Sequence, residues 1–202
     1  MRQEIQTLNC RRLRPSELRD IGRTLRRGGV IVFPTDTAYA VGGRYDRSAV
    51  TRRVLEIKGR SDRRFTLVAA SLAQVQRHFW LRPAALALAR RFWPGPLSIV
   101  VSRRFAVRVP AHSLARQLAQ RAGAPLIASS ANRTGGRTPY RFSAVCSQLR
   151  EIPPDLLLNG GTLPKRKPST VVRVDGRGAL KIIRAGSVRL RADADLDRNL
   201  RR

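Results

Sequence analysis

Four short clusters hold the side chains from which a reaction on an anionic molecule could be built. They are Thr35-Asp36-Thr37, Lys58-Gly59-Arg60, Ser129-Ser130-Ala131-Asn132 and Ser169-Thr170. Each lies beside an apolar segment, and each concentrates hydroxyls, amides or cations. Open α/β sheets bind ligands at the loops beyond strand ends, so the four can converge on one crevice. Fixed cations and small donors with few carboxylates suit a ligand such as a nucleoside triphosphate.

Two plainer explanations compete. Lys58 and Arg60 straddle the end of a helical pattern, where cations complement the partial negative charge of unpaired carbonyls. The PTDT segment can be a turn whose side chains bond to their own backbone. Composition also lowers the value of any single cation. The 202 residues hold 41 Lys and Arg against 13 Asp and Glu, a net charge of +28, and only four of the cations are lysine. Such an excess favours phosphate-rich partners whatever the fold.

Other chemistries find less support. There is no GxxxxGK[ST] phosphate loop, no GxGxxG after a strand and no GxSxG elbow. A serine or cysteine triad needs a histidine base. Only His78 and His112 exist, and both sit in helical patterns that read as structural. Cys10 and Cys146 stand far apart with no ligand-spaced neighbour, which indicates neither zinc nor a disulfide framework. No apolar run approaches the roughly 20 residues of a membrane span, and the first residues lack the apolar block of a secretory signal, so a cytoplasmic protein is expected.

The elements that must position these clusters read as alternating helices and strands. Leu18, Ile21 and Leu25 recur at helical spacing, with Ser16 expected as N-cap and Gly28-Gly29 as the stop. Val30 to Phe33 reads as a buried strand, and PTDTAYAVGG as a loop. Ser48 is expected to cap a helix that ends at Gly59. Strands are expected at FTLVAA, LSIVV, AVRV, PLIAS, DLLLNGG, TVVRV and LKIIR. Helices are expected in SLAQVQRHF, PAALALARRFW, His112 to Arg121 and Ser143 to Leu149. The pattern predicts one α/β or α+β domain over residues 1–187 with an open mixed sheet, followed by a charged tail over 188–202.

In their order and spacing, GGVIVFPTDTAYAVGG, IKGR, FWPGPLSIVV, AVRVP, SSANRTGG, STVV and IIRAG resemble the YrdC/TsaC family of threonylcarbamoyl-AMP synthases, in the short bacterial form. The resemblance spans about Arg14 to Ser187. It implies a twisted mixed sheet around a basic concave pocket. The implied enzyme makes L-threonylcarbamoyladenylate and pyrophosphate from L-threonine, bicarbonate and ATP with Mg2+. Its product would feed threonylcarbamoylation of tRNA adenosine 37 through a downstream transferase complex.

By motif position, the resemblance assigns Lys58, Arg60, Ser130, Asn132 and Arg184 to the nucleotide, with Lys58 and Arg60 expected as the catalytic cations that, with magnesium, neutralise the triphosphate and the leaving group. Thr35 or Thr37, with Arg108 and Ser169, fall to threonine, and no protein side chain is implied as a metal ligand. The chain departs from the family pattern at Ala40, Ser61, Phe65-Thr66 and Arg173. Two other readings remain open: a protein whose basic face binds tRNA or double-stranded RNA without turnover, as in ribosome maturation, and a catalytically divergent paralogue that keeps the pocket for another carboxylate or nucleotide substrate. The 5% aromatic content gives base stacking little support.

Overall fold

The computed structural model describes residues 5–190 and contains mixed strands and helices, with the strands divided between two sheets. Helix α1 (Pro15–Arg26) turns Ile21 and Leu25 inward on the expected stripe. Its N-cap is Arg14 rather than Ser16. Pro15 occupies the first helical position, where a missing N–H costs nothing, and the Arg14 backbone N–H donates to Glu17 Oε2 at 2.7 Å. Helix α2 (Ser48–Lys58) likewise starts one residue earlier than expected, with Arg47 as cap. It ends at Gly59, whose φ of 60° is the left-handed conformation that glycine adopts without strain.

The first sheet runs β1 (Thr7–Asn9), β9 (Leu156–Asn159), β2 (Ile31–Pro34), β3 (Tyr39–Gly42) and β8 (Ser129–Ser130). Its first three strands are parallel and the rest antiparallel. Ile31 and Phe33 pack with Ile21, Leu25, Leu156 and Leu158, whereas Val32 and Leu157 join the other core cluster. Both faces of this sheet are therefore buried. That burial explains why its strands read as unbroken apolar runs.

The second sheet runs β11 (Leu180–Arg184), β10 (Thr170–Val174), β5 (Leu97–Val100), β6 (Phe105–Arg108), β4 (Phe65–Val68) and β7 (Leu126–Ile127). Leu67, Ile99, Val107 and Val172 share one apolar cluster with Val32 and Val41 of the first sheet. Helices α3 (Leu72–His78), α4 (Pro83–Phe92), α5 (Ser113–Ala122) and α6 (Phe142–Gln148) complete the fold, and α5 packs on α1.

Two expectations change here. PTDTAYAVGG is not all loop, because Tyr39–Gly42 pairs antiparallel with Ile31–Pro34. PLIAS is not one strand, because the chain changes sheets at Ala128: β7 pairs with β4, and β8 pairs with β3. The sheets approach so closely there that a Cβ on Gly42 would lie 1.7 Å from the Ile127 carbonyl oxygen. Of the expected tail, Val188 exchanges hydrogen bonds with the Thr170 hydroxyl, Leu190 packs against the core, and residues 191–202 lie outside the described residues.

Candidate functional site

The turn after β2 is built by Thr35. Its hydroxyl donates to Ala38 O at 2.7 Å and accepts the N–H groups of Thr37 and Ala38, so this buried side chain shapes the loop from within. Asp36 and Thr37 are thereby displayed at the tip. Arg108, closing β6, meets them there: one terminal nitrogen donates to Asp36 Oδ1 at 2.6 Å, the other to Thr37 Oγ1 at 3.1 Å. The second Asp36 oxygen accepts the Ala111 N–H. The side chains of Arg108 and Asp36 are only 4% and 6% exposed, so the pair is a buried ion pair satisfied on the carboxylate side.

Ser169, just ahead of β10, is fixed from two directions. Ser98 Oγ donates to its hydroxyl at 2.9 Å, and Arg184 grips both its carbonyl and its hydroxyl. Burial, reinforced by the charge of Arg108, pushes the Arg184 pKa below its ordinary value. Two guanidinium groups thus face one space that wants a negative charge.

The opposite wall begins at the end of α2. Lys58 is buried, and its ammonium donates to the carbonyls of Ser130 and Asn132, both at 2.7 Å. Burial, then the nearby Arg60 charge, pushes its pKa down to about 8. Thr134 N–H donates back to Lys58 O, so the helix end and the SSANRT segment are tied at three points. Asn132 donates to Arg133 O and Gly136 O, and its buried Oδ1 has no protein partner.

Arg60 lies over the Phe65 ring, 4.8 Å from its centroid, and donates to Arg64 O at 2.8 Å. Its Nε is buried without a partner, and burial lowers its pKa. Phe65 therefore serves as a shelf for the cation. The loop below is stiffened by Asp62, whose pKa falls to about 2 because Arg64 donates to it from side chain and backbone.

These walls enclose a cavity of about 330 Å3 lined by Thr35, Thr37, Arg60, Ser130, Arg108, Ser169 and Arg184. Seven of the nine sequence-nominated residues thus meet in one space. Lys58 and Asn132 are not among the lining residues; Lys58 reaches the cavity through the Ser130 carbonyl that it holds, whereas the Asn132 amide bonds to Arg133 O and Gly136 O. Arg64, Tyr140 and Arg166 also reach it without having been nominated. Arg166 belongs to the GTLPKRKPS loop, and nothing in the sequence distinguishes it from the other arginines. Among the lining residues there are five arginines and no carboxylate, an electrostatic environment for a polyanion.

The histidines make local contacts: His112 accepts the Ala115 N–H as N-cap of α5, and His78 Nδ1 lies 3.2 Å from the Tyr45 hydroxyl. Among the described residues, no group of three or more His, Cys, Asp or Glu side chains gathers around a common point, and no helix is long and apolar enough to cross a membrane.

Comparison with known proteins adds an independent line. The Sua5/YciO/YrdC family model, described as telomere recombination, matches residues 23–186. A threonylcarbamoyl-AMP synthase of Nitrosococcus oceani is 33% identical over 170 residues, covering 77% of this chain and 90% of that protein. One from Chromobacterium violaceum is 34% identical over 174 residues, covering 79% and 89%. Among solved structures, P. abyssi Sua5 complexed with L-threonine superposes with a TM-score of 0.78 at 30% identity, over 91% of this chain and 58% of that longer one. E. coli YciO, at 22% identity, shares the fold with a TM-score of 0.78 over 96% and 98% of the two chains.

Proposed function

The chain belongs to the Sua5/YciO/YrdC family, and from that premise we propose that it is a threonylcarbamoyl-AMP synthase. The observation that carries this is its identity of 33–35% to several proteins of that name over 86–90% of their length. The threonine amine adds to carbon dioxide and loses a proton to solvent, or condenses with bicarbonate and loses water, giving an N-carboxylate. An oxygen of that carboxylate attacks the α-phosphorus of ATP, the bond to the β-phosphate bridging oxygen breaks, and pyrophosphate leaves with the electron pair. No covalent intermediate on the protein is needed, so the site works by positioning and by neutralising charge.

In this scheme Arg108, which spends two of its five N–H groups on Asp36 and Thr37, turns the remainder toward the threonine carboxylate. Thr37 and Ser169 hold the amino acid beside it. Thr35 is reserved for the turn, since its hydroxyl is already committed within the loop. Arg60 and Arg184 face the phosphates, and Ser130 orients the nucleotide. Lys58 contributes by fixing the carbonyls of Ser130 and Asn132, which sets the wall that Arg60 shares. Magnesium enters with ATP as part of the substrate, bound by phosphate oxygens and water.

The product is a mixed carbamic–phosphoric anhydride, an activated donor. A transferase acting on tRNA adenosine is the class of partner that would consume it. The test incubates the full chain with ATP, magnesium, bicarbonate and labelled L-threonine and measures pyrophosphate and the adenylate. Turnover is expected, with Arg60→Ala reducing it by about a hundredfold. Absence of both products in the wild type would overturn the proposal.

A further inference from the structure

The far end of β10 borders a second cavity, of about 340 Å3, that the synthase scheme does not use. Ser169, ahead of the strand, lines the first cavity, whereas Arg173 and Val174 at its end line the second. At about 3.3 Å per residue, roughly 15 Å of strand separates them. The second cavity has an apolar floor that includes Leu81 and Val100, and its polar rim holds Arg82, Arg103 and Arg173 without a carboxylate.

Trp80 stands at that rim with 73% of its surface exposed, far beyond any other large apolar side chain among the described residues. The Arg82 guanidinium lies over its ring, 5.2 Å from the centroid. No carboxylate among the described residues pairs with Arg82, Arg103 or Arg173. The acid closest in sequence, Asp175, accepts the backbone N–H groups of Arg177 and Ala179 in the β10–β11 turn.

The exposed indole leaves apolar area in water, and three guanidinium groups without a carboxylate partner share one rim. One ligand chemistry relieves both: a flat, unpaired base with phosphates on either side. The base covers the ring, and the phosphates neutralise the cations. A duplex would supply phosphates but keep its bases stacked away from the indole. An acidic peptide would supply charge without a ring. We propose that this cavity binds single-stranded nucleic acid, with Trp80 stacked on a nucleobase and Arg82, Arg103 and Arg173 meeting the flanking phosphates.

Trp80 is its own reporter, because the second tryptophan, Trp93, is part-buried and donates its Nε1–H to Leu97 O. The full chain is titrated with a single-stranded RNA of about twelve nucleotides at about 0.2 M salt, where weak phosphate-only contacts are suppressed. Quenching of the indole emission is expected. Trp80→Ala, followed by the anisotropy of the same RNA carrying a fluorescent label because the variant lacks the reporter, should weaken binding about tenfold, with Trp80→Tyr restoring most of it by the same readout. Arg173→Gln should lower the salt slope by about one. Both tryptophan variants should melt as the wild type does and leave synthase turnover unchanged, which separates this site from the first cavity. Wild-type affinity in Trp80→Ala would overturn the proposal. So would equal indole quenching by a duplex of the same sequence, by polyglutamate or by free AMP.

Discussion

The two walls of the first cavity are built from similar residues but finished differently. On the wall formed by Asp36, Arg108, Ser169 and Arg184, each nominated side chain is engaged by a neighbour: Arg108 by Asp36 and Thr37, Ser169 by Ser98 and Arg184. On the wall formed by Lys58, Arg60 and Asn132, two buried polar atoms, Arg60 Nε and Asn132 Oδ1, have no protein partner. A buried polar atom without a partner is costly. The first wall is thus rigid in the protein alone, and the second gains most from a bound polyanion with donors and acceptors of its own.

The largest effect should come from breaking the finished wall. Arg108→Ala leaves the Asp36 carboxylate buried without its cation, and a loss of about 3–5 kcal/mol is expected in urea denaturation. The double variant with Asp36→Asn should recover part of it, because the stranded charge is then gone.

Lys58 supplies the next test, through pH. Its folded-state pKa near 8 lies below the ordinary 10.5, so between those values the unfolded chain holds a proton that the folded chain has released. Its contribution to stability therefore rises with pH across that window, by about 3 kcal/mol in all, and is flat below pH 8. Neutral Lys58 still has two N–H groups for its two carbonyls. Subtracting the stability–pH curve of Lys58→Met from that of the wild type should isolate this rise; parallel curves would show that the ammonium is not the group responsible.

The smallest effect concerns the shelf under Arg60. Phe65→Leu removes the ring face, worth about 0.5–2 kcal/mol, and should raise the KM for ATP several-fold while leaving kcat and melting temperature close to wild type. Phe65→Tyr should keep the wild-type KM. An effect on kcat alone would mean that the ring serves the chemistry rather than the grip.

Much of this was legible in the sequence where local patterns decide structure. The end of α2 was marked by Gly59, and the helical stripe of α1 by Leu18, Ile21 and Leu25. The PTDT, KGR and SSAN segments were visible as clusters because hydroxyls and amides are uncommon beside apolar runs. What stayed hidden depends on contacts distant in sequence. Nothing local says that Lys58 will spend its ammonium on carbonyls 72 and 74 residues away. Nor does PLIAS reveal a change of sheet, since both halves are equally compatible with a strand. Arg64 and Arg166 could not be picked out in a chain with so many arginines. Turn and cap identities failed for a smaller reason: backbone donors found Glu17 and not Ser16.

The crossing at Ala128 has a mechanical consequence. Its N–H is held by Thr66 O, that of Ile127 by Gly43 O, and that of Ala131 by Tyr39 O, so the short run from Leu126 to Ala131 is tied to both sheets. Ser129 and Ser130, in the middle of this seam, line the first cavity. Any sliding of one sheet over the other must therefore pull on the cavity wall, and whatever fills the cavity would resist that sliding like a wedge between the two sheets.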